Sequence, residues 1–403
     1  MLPSAAICEG FGTVMNNRLG QMTLFQGTGG DPRAAATRLA DVLAVYGAIG
    51  DAACGNPPGL ALRKAAAAVS LARVAGIEPQ ECDAMYFAAV LHAAGAVGNP
   101  AFRKGERLAE RLARMESWDT PAMGARVCEQ ISPLPRATAD LVRWQAECCD
   151  GTGYPDQLRW HGIPQGAMVL AVADAFCRAA DPEESLANVA MQSGRAFSPE
   201  IARTFTMWFH MSGGEPDPVD PPIHALVNIT PGAAATLIDT IADRVDAHNG
   251  VEGRWRRVER LAQHAGTILG LDAGDAANLS IAVRFYGSGE IAETELSEAS
   301  FDPLARLGID DRASHAAASA ALLAGNPTLR GAAPVLRARG EWFDGTGKPD
   351  GLLHKAIPAA AAILAAAIAY DHLDHKDRID TASGTQFDPH AVRAVLEAAR
   401  TLA

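Results

Sequence analysis

Two pairs of residues in this sequence have the types and spacing that metal binding or nucleophilic chemistry requires. Cys148 and Cys149 are adjacent thiols, and His372 and His375 stand three positions apart, which would place both imidazoles on one face of a helix. Adjacent cysteines lack the spacing of a chelating pair, and free cysteines are commonly small buried hydrophobic residues. The charged neighbours of the two histidines favour a solvated polar face. We therefore interpret both pairs as structural.

A stronger signal is a short loop motif that occurs twice. Residues 147–155 read ECCDGTGYP and residues 341–349 read EWFDGTGKP. In both, the glycines supply the backbone freedom that a tight loop between helices requires. We expect the motif to persist mainly for folding, with a recognition surface at Tyr154 and Arg159 as the alternative role. Its defining residues are Asp150, Gly151, Gly153, Tyr154, Pro155, Asp344, Gly345, Gly347 and Pro349.

The loop motif belongs to a longer duplication. Asp150 and Asp344 are 194 positions apart, and Gly95 and Gly289 repeat at the same offset. In the stretches that begin at residues 194 and 384 the offset is 190, which one deletion of four residues explains. Self-similarity at a fixed offset indicates two copies of one structural unit.

The segments around each motif have helical periodicity. The stretches LRKAAAAVSLARVA and GRWRRVERLAQHAGTIL place small or apolar residues at helical spacing, and the segments after the two Ile-Pro pairs are apolar on nearly every side. No segment alternates convincingly with a period of two. The sequence therefore predicts an all-α fold with two domains, residues 30–211 and 223–403, joined by the proline-rich linker 212–222. Residues 1–29 are given no role.

Composition excludes several classes of partner. The formal charge of −12 provides no basic surface for DNA or RNA. The N-terminus has no basic and apolar leader, and charges, glycines or histidines interrupt the apolar runs before they reach membrane-spanning length. All seven cysteines lie in the first half, in an odd number and without framework spacing. We expect a cytoplasmic protein with free thiols and no membrane partner.

The ordered set of motifs resembles the C-terminal half of the HD-GYP domain, an all-helical branch of the HD phosphohydrolases. The resemblance rests on the Asp150–Pro155 loop, on Ile163 and Pro164, and on the run AVADAF that contains Asp174. It implies cyclic di-GMP hydrolysis at a site of two or three iron or manganese ions, held by histidine and carboxylate side chains. It also implies two HD-GYP-like domains that pack about a pseudo-twofold axis, as in a fused homodimer.

Most of the metal ligands that this resemblance implies are replaced. In the first copy His92 and Asp174 remain, and in the second His315 retains one ligand position. The substituted positions are Leu60, Ala93, Ala96, Thr120, Gln145 and Ala146 in the first copy and Tyr286, Gly287, Glu290, Arg339, Gly340 and Ile368 in the second. We predict that His92, Asp174 and His315 are vestigial metal-site positions, with no bound metal, no cofactor and no catalytic residue.

The leading functional hypothesis is a catalytically inactive tandem HD-GYP-like protein that acts as a regulatory or scaffolding partner of another protein, in cyclic di-GMP signalling. One alternative is a non-hydrolytic sensor of a cyclic dinucleotide or another small anion, since arginine forks bind phosphate and aromatic rings stack on bases. The candidate ligand contacts are Arg143, Trp144, Arg337, Arg339 and Trp342. A second alternative is a metal-dependent cyclic di-GMP phosphodiesterase.

Overall fold

The computed structural model describes residues 38–99, 120–222, 229–292, 312–373 and 376–402. These ranges are mostly helical, and the extended pairings that join two described residues are isolated bridges between Ser193 and Phe197 and between Ser383 and Phe387. The prediction of an all-α fold is confirmed. The segment 1–29 and His375 lie outside the described residues.

The first copy consists of eight α-helices within the described ranges. They are α1 Leu39–Ala53, α2 Leu60–Val74, α3 Pro79–Val90, α4 Thr120–Gln130, α5 Ala137–Trp144, α6 Gln165–Arg178, α7 Pro182–Met191 and α8 Pro199–Ser212. The second copy also has eight, which are α9 Pro231–Asn249, α10 Arg254–Ile268, α11 Ala273–Phe285, α12 Ser288–Ala292, α13 Arg312–Ala324, α14 Ala333–Ala338, α15 Ala359–His372 and α16 Pro389–Leu402. The counterparts of α4, α5, α6 and α8 are α13, α14, α15 and α16, whereas α12 lies in the segment equivalent to residues 94–98, which form turns in the first copy. Short 3₁₀ helices lie at Trp160–Gly162, Arg330–Ala332, His354–Ala356 and Lys376–Ala382.

The helix boundaries follow the sequence repeat. Helices α2 and α10 both have 15 residues, and α6 and α15 both have 14, each pair at the offset of 194. The deletion falls between α6 and α8, where the ten-residue helix α7 corresponds to the seven-residue 3₁₀ helix Lys376–Ala382. The structure thus places the four missing residues outside the helices that build the core.

Small side chains let the core helices of each copy pack closely. Helix α2 packs on α3 and α6, and α10 packs on α11, α15 and α16. Helix α6 buries Val169, Leu170 and Val172 completely, and burial of each such side chain stabilises the fold by about 1.5–3 kcal/mol. Gly47 has no room for a side chain, because a Cβ there would collide with the Val90 carbonyl oxygen.

The two copies pack against each other reciprocally. Helix α1 contacts α12 and α13 of the second copy, where the Asn326 side chain donates to the Asp41 carbonyl oxygen at 2.7 Å. In return Arg244 on α9, the counterpart of α1, donates to the Val97 carbonyl oxygen. Val97 corresponds to Ile291 of α12, so α1 and α9 each contact the same segment of the other copy, as a pseudo-twofold axis requires. Residues 36–403 form one compact unit, so the predicted domain boundaries stay predictions.

After α8 the chain has no helix up to residue 222, and Val219 and Pro222 lie beside Tyr86 of α3. Within the described ranges, no helix combines the length and the hydrophobicity needed to cross a bilayer.

Candidate functional site

Each motif loop is held by one buried glutamate. The carboxylate of Glu147 accepts hydrogen bonds from the backbone amides of Asp156 at 2.6 Å and Leu158 at 2.9 Å. Glu341 accepts the equivalent bonds from Asp350 at 2.6 Å and Leu352 at 2.8 Å. A buried carboxylate that two amides satisfy fixes the loop to the preceding helix, which explains why glutamate opens both motifs.

The aspartate and the second glycine of the motif also have local structural roles. Asp150 accepts hydrogen bonds from the Thr152 amide at 2.9 Å and from its hydroxyl at 2.6 Å, and Asp344 repeats this turn with Thr346. A Cβ at Gly153 would collide with the amide nitrogen of Cys148. Gly347 is crowded in the same way by the Trp342 amide nitrogen. The repeated loop is therefore built for folding in both copies.

Three of the five candidate ligand contacts hold these loops. Arg143 donates two hydrogen bonds to the Asp156 carboxylate at 2.7 and 2.8 Å, and the Trp144 indole donates to the same group at 2.7 Å. Arg337 makes the equivalent bidentate pair with Asp350. A ligand role for these side chains stays a prediction, because their observed partners belong to the loop.

A cavity of about 310 Å³ lies in the first copy at the positions of the implied metal ligands. It is bounded by α2, the end of α3, α6 and the motif loop. Its charged or polar lining residues are Lys64, His92, Gln145, Glu147, Tyr154, Asp174 and Arg178, and apolar residues such as Phe197 complete the wall. The sequence-predicted residues His92, Asp174 and Tyr154 are thus brought together.

Two cations hold both oxygens of Asp174. The buried Lys64 ammonium donates to Asp174 Oδ1 at 3.0 Å and to the Gln145 side-chain oxygen at 2.8 Å. Arg178 Nε donates to Asp174 Oδ2 at 2.6 Å, and its Nη1 donates to Asn56 at 2.7 Å. Burial opposes ionisation of Asp174, but Lys64 and Arg178 hold its pKa well below the usual range. Asp174 is therefore an ion-pair partner of two side chains.

His92 has different partners from Asp174. Its Nδ1 lies 3.0 Å from the Ala89 carbonyl oxygen, and its Nε2 lies 3.4 Å from Asp51 Oδ1. Burial, with the nearby charge of Lys64, lowers the pKa of His92 to about 3, so the imidazole is neutral. Asp51 accepts from the Ala61 amide at 2.8 Å, and burial raises its pKa to about 6. In the second copy Asp246 accepts equivalently from the Trp255 amide. An aspartate of the first helix therefore bonds the start of the second helix in both copies.

The side chains around the cavity do not fit the metal centre that the family resemblance implies. Both Asp174 oxygens are bonded to cations, and His92 points one ring nitrogen at Asp51 and the other at a carbonyl oxygen. Among the described residues, no group of three or more His, Cys, Asp or Glu side chains is arranged to hold a metal ion. Burial raises the pKa values of Cys148 and Cys149, which keeps both as neutral thiols. The donor set therefore offers positive charge where metal coordination needs lone pairs.

The second copy fills the equivalent space. Arg254 donates to the Tyr286 hydroxyl at 2.7 Å and to Glu290 at 2.9 Å, and Arg339 Nη2 donates to the Tyr286 carbonyl oxygen at 3.1 Å. Burial raises the pKa of Tyr286 to about 12. The remaining cavity is about 20 Å³ and is lined by Arg339, Gly340, Glu341, Trp342, Ala365, Ile368, Gln386 and Phe387. Arg339 and Trp342 are thus placed at a cavity too small for a nucleotide.

Two other predicted histidine positions lie apart from that small cavity. The carbonyl oxygen of His315 packs against Gly289 as that of Thr120 packs against Gly95, so His315 is the structural counterpart of Thr120 and the offset at this point is 195. His315 is buried but does not line the second-copy cavity. His372 is exposed at the end of α15.

Sequence reasoning missed Lys64 and Arg178, which line the first-copy cavity, and Asp51, which lies beside His92. Lys64 and Asp174 correspond to Val258 and Ile368 at the offset of 194. A lysine and an aspartate that are both apolar in the sister copy are a sign of a buried ion pair, and comparison of the two copies could have found it.

Comparisons with known proteins agree with this architecture. A sequence model of the HD domain matches residues 51–198 and 235–389. A cyclic di-GMP phosphodiesterase from Thermotoga maritima is 30% identical over 132 residues, which cover 30% of this chain and 35% of that protein. The match therefore spans about a third of the relative's length.

The solved structures include a similar fold of nearly the same extent. A cyclic GMP-AMP-specific phosphodiesterase from V. cholerae superposes with a TM-score of 0.65 at 18% identity, covering 91% of this chain and 98% of that one. At this identity the likeness concerns the fold. Two matched segments that together span well over half of the sequence identify this chain as a member of the HD domain family.

Proposed function

We propose that this protein is a non-hydrolytic member of the HD domain phosphodiesterases that acts as a regulatory or scaffolding partner in cyclic-dinucleotide signalling. The observation that carries the proposal is the ion-pair cluster at Asp174. Lys64 and Arg178 each bond one carboxylate oxygen, so the carboxylate that the family would use for metal has no free oxygen edge. A phosphodiesterase of this type needs adjacent cations to form hydroxide and to neutralise the scissile phosphate.

The state of the second copy supports the same proposal. Tyr286 and Ile368 stand where the family has a histidine and an aspartate, and Arg254 and Glu290 pair beside them. In both copies the side chains at the implied metal site differ in chemical type from metal ligands, while the loops that stabilise the fold are kept. Such a pattern is expected when selection retains shape and binding and no longer retains turnover.

A partner surface is offered by the motif loop of the first copy. Trp160 is 46% exposed and adopts a positive φ angle of 44° beside the exposed Arg159. Exposed Trp and Arg side chains are over-represented at the energetic centres of protein interfaces. His354 and Leu353 occupy this place in the second copy, so the two loops present different surfaces.

The test is hydrolysis by the full chain, supplied with Mn²⁺ or Fe²⁺ and with cyclic di-GMP or cyclic GMP-AMP. We expect no linear dinucleotide above the background of a His92→Ala, Asp174→Ala double variant, with an active HD domain phosphodiesterase as positive control. Turnover that the double variant abolishes would refute the proposal and favour the metal-dependent phosphodiesterase.

A further inference from the structure

We propose that the first-copy cavity binds a monoanionic phosphodiester of single-nucleotide size, with Arg178 and Lys64 as the phosphate contacts. This inference rests on the proposed non-hydrolytic function and gives that function a ligand class. The chemistry is shared by a cyclic mononucleotide and by one half of a cyclic dinucleotide.

Unused hydrogen-bond donors at the cavity support this assignment. A guanidinium has five N–H donors, and within the described part of the chain Arg178 uses only Nε and one donor of Nη1. Its Nη2 therefore has two N–H groups available on a side chain that is 46% exposed. Lys64 has three donors and bonds two acceptors, Gln145 and Asp174. A phosphate oxygen can accept from both side chains while the Asp174 pairs stay in place.

The charge of the cavity wall selects a monoanion. Lys64 and Arg178 carry two positive charges, and Asp174 carries one negative charge. The Glu147 carboxylate also borders the cavity, and the hydrogen bonds from the Asp156 and Leu158 amides leave its negative charge in place. The formal charges of the wall therefore cancel, and a wall without net charge accommodates the single charge of a phosphodiester better than the roughly −1.5 to −2 of a phosphate monoester.

The size and the wall of the cavity suit one nucleotide. About 310 Å³ lies at the lower end of the range for small-molecule sites, roughly 300–1,000 Å³. Phe197 and Tyr154 contribute aromatic rings, and small apolar residues such as Ala93 and Ala171 leave flat space for a base. A buried apolar wall with a few convergent polar groups is typical of cofactor and nucleotide sites.

The second copy provides an internal contrast. At the positions of Lys64 and Arg178 it has Val258 and His372, and its cavity of about 20 Å³ cannot admit a nucleotide. The ligand site is therefore expected in one copy only, with a stoichiometry of one per chain.

The experiment is calorimetric titration of the full chain with cyclic GMP, cyclic AMP, cyclic di-GMP and GMP, with each mixture analysed afterwards for hydrolysis. We expect saturable 1:1 binding of a cyclic mononucleotide or of cyclic di-GMP, and the tighter of these identifies the source. Arg178→Gln should weaken that binding by about tenfold or more, because one charge-assisted fork is lost. Arg178→Lys should fall between, and the matched variant His372→Gln in the second copy should bind like the wild type.

Three results would overturn the inference. They are the absence of saturable binding by all the cyclic probes, unchanged affinity in Arg178→Gln, and GMP binding as tightly as the cyclic probes. Hydrolysis products in the mixture would instead refute the proposed function, whereas failure to bind leaves that function standing. The two failures are therefore distinguishable in one set of samples.

Discussion

The ion pair between Lys64 and Asp174 in the first copy can be replaced by the apolar residue types that stand at these positions in the second copy. Lys64→Val leaves the Asp174 carboxylate partly buried with one cation instead of two. Removal of one partner from a fully buried pair costs about 3–5 kcal/mol. Asp174 is 27% exposed and keeps Arg178, so we expect the free energy of unfolding to fall by about 2 kcal/mol.

The double variant Lys64→Val, Asp174→Ile should recover most of this loss. It reproduces Val258 and Ile368, and replacement of a buried ion pair by hydrophobic residues is often neutral or stabilising. We therefore expect the double variant to lie within about 1 kcal/mol of the wild type, a non-additive result in a double-mutant cycle.

Urea unfolding followed by tryptophan fluorescence and circular dichroism measures these differences, with Leu62→Val on the exposed face of the same helix as control. The pH dependence gives a second check. The folded pKa of Asp174 is depressed, so its stabilisation is present above the unfolded value near pH 4 and is lost as the pH falls below it. The cost of Lys64→Val should shrink in the same window. A double variant as unstable as the single one, or a single variant as stable as the wild type, would refute the reasoning.

Two other predictions concern the motif loop and the buried histidine. Gly153→Ala should lower the free energy of unfolding by about 3 kcal/mol in urea titrations because its Cβ would meet the Cys148 backbone. Gly162→Ala should cost little, because its Cβ would only make ordinary van der Waals contact with Leu158 at 3.8 Å. Equal costs for the two variants would contradict the packing argument. His92 has a folded pKa of about 3, below its unfolded value, so its stabilisation is present above about pH 6.5 and is lost as the pH falls. His92→Gln should therefore lose less stability than the wild type between pH 7 and pH 5, and an identical pH profile would contradict the burial of a neutral imidazole.

The duplication made much of the fold predictable from the sequence. Helix type, helix order and the site of the deletion all follow from two copies that must bury equivalent faces, and α2 and α10 appear where the periodicity indicates. The interpretation of the motif loop as a folding element stays a prediction, and the equivalent amides that Glu147 and Glu341 hold in the two copies support it.

The electrostatics of the site were harder to predict. Lys64 lies in a run of alanines, and its partners Gln145 and Asp174 are 81 and 110 positions away in the sequence. Side chains that pair across such long separations leave no pattern within any short stretch of the sequence. In the second copy Arg339, which stands at a substituted ligand position, bonds the Tyr286 carbonyl oxygen through Nη2, whereas in the first copy Lys64 and Arg178 supply the positive charge at Asp174.

Metal content is the measurement that tests the central claim most directly. The full chain is purified without chelators, incubated with Mn²⁺ or Fe²⁺, passed through a desalting column and analysed for bound metal. If Lys64 and Arg178 supply the positive charge at Asp174, both metals should remain well below one ion per chain. About two tightly held ions per chain, the number that a dinuclear phosphodiesterase needs, would contradict the account.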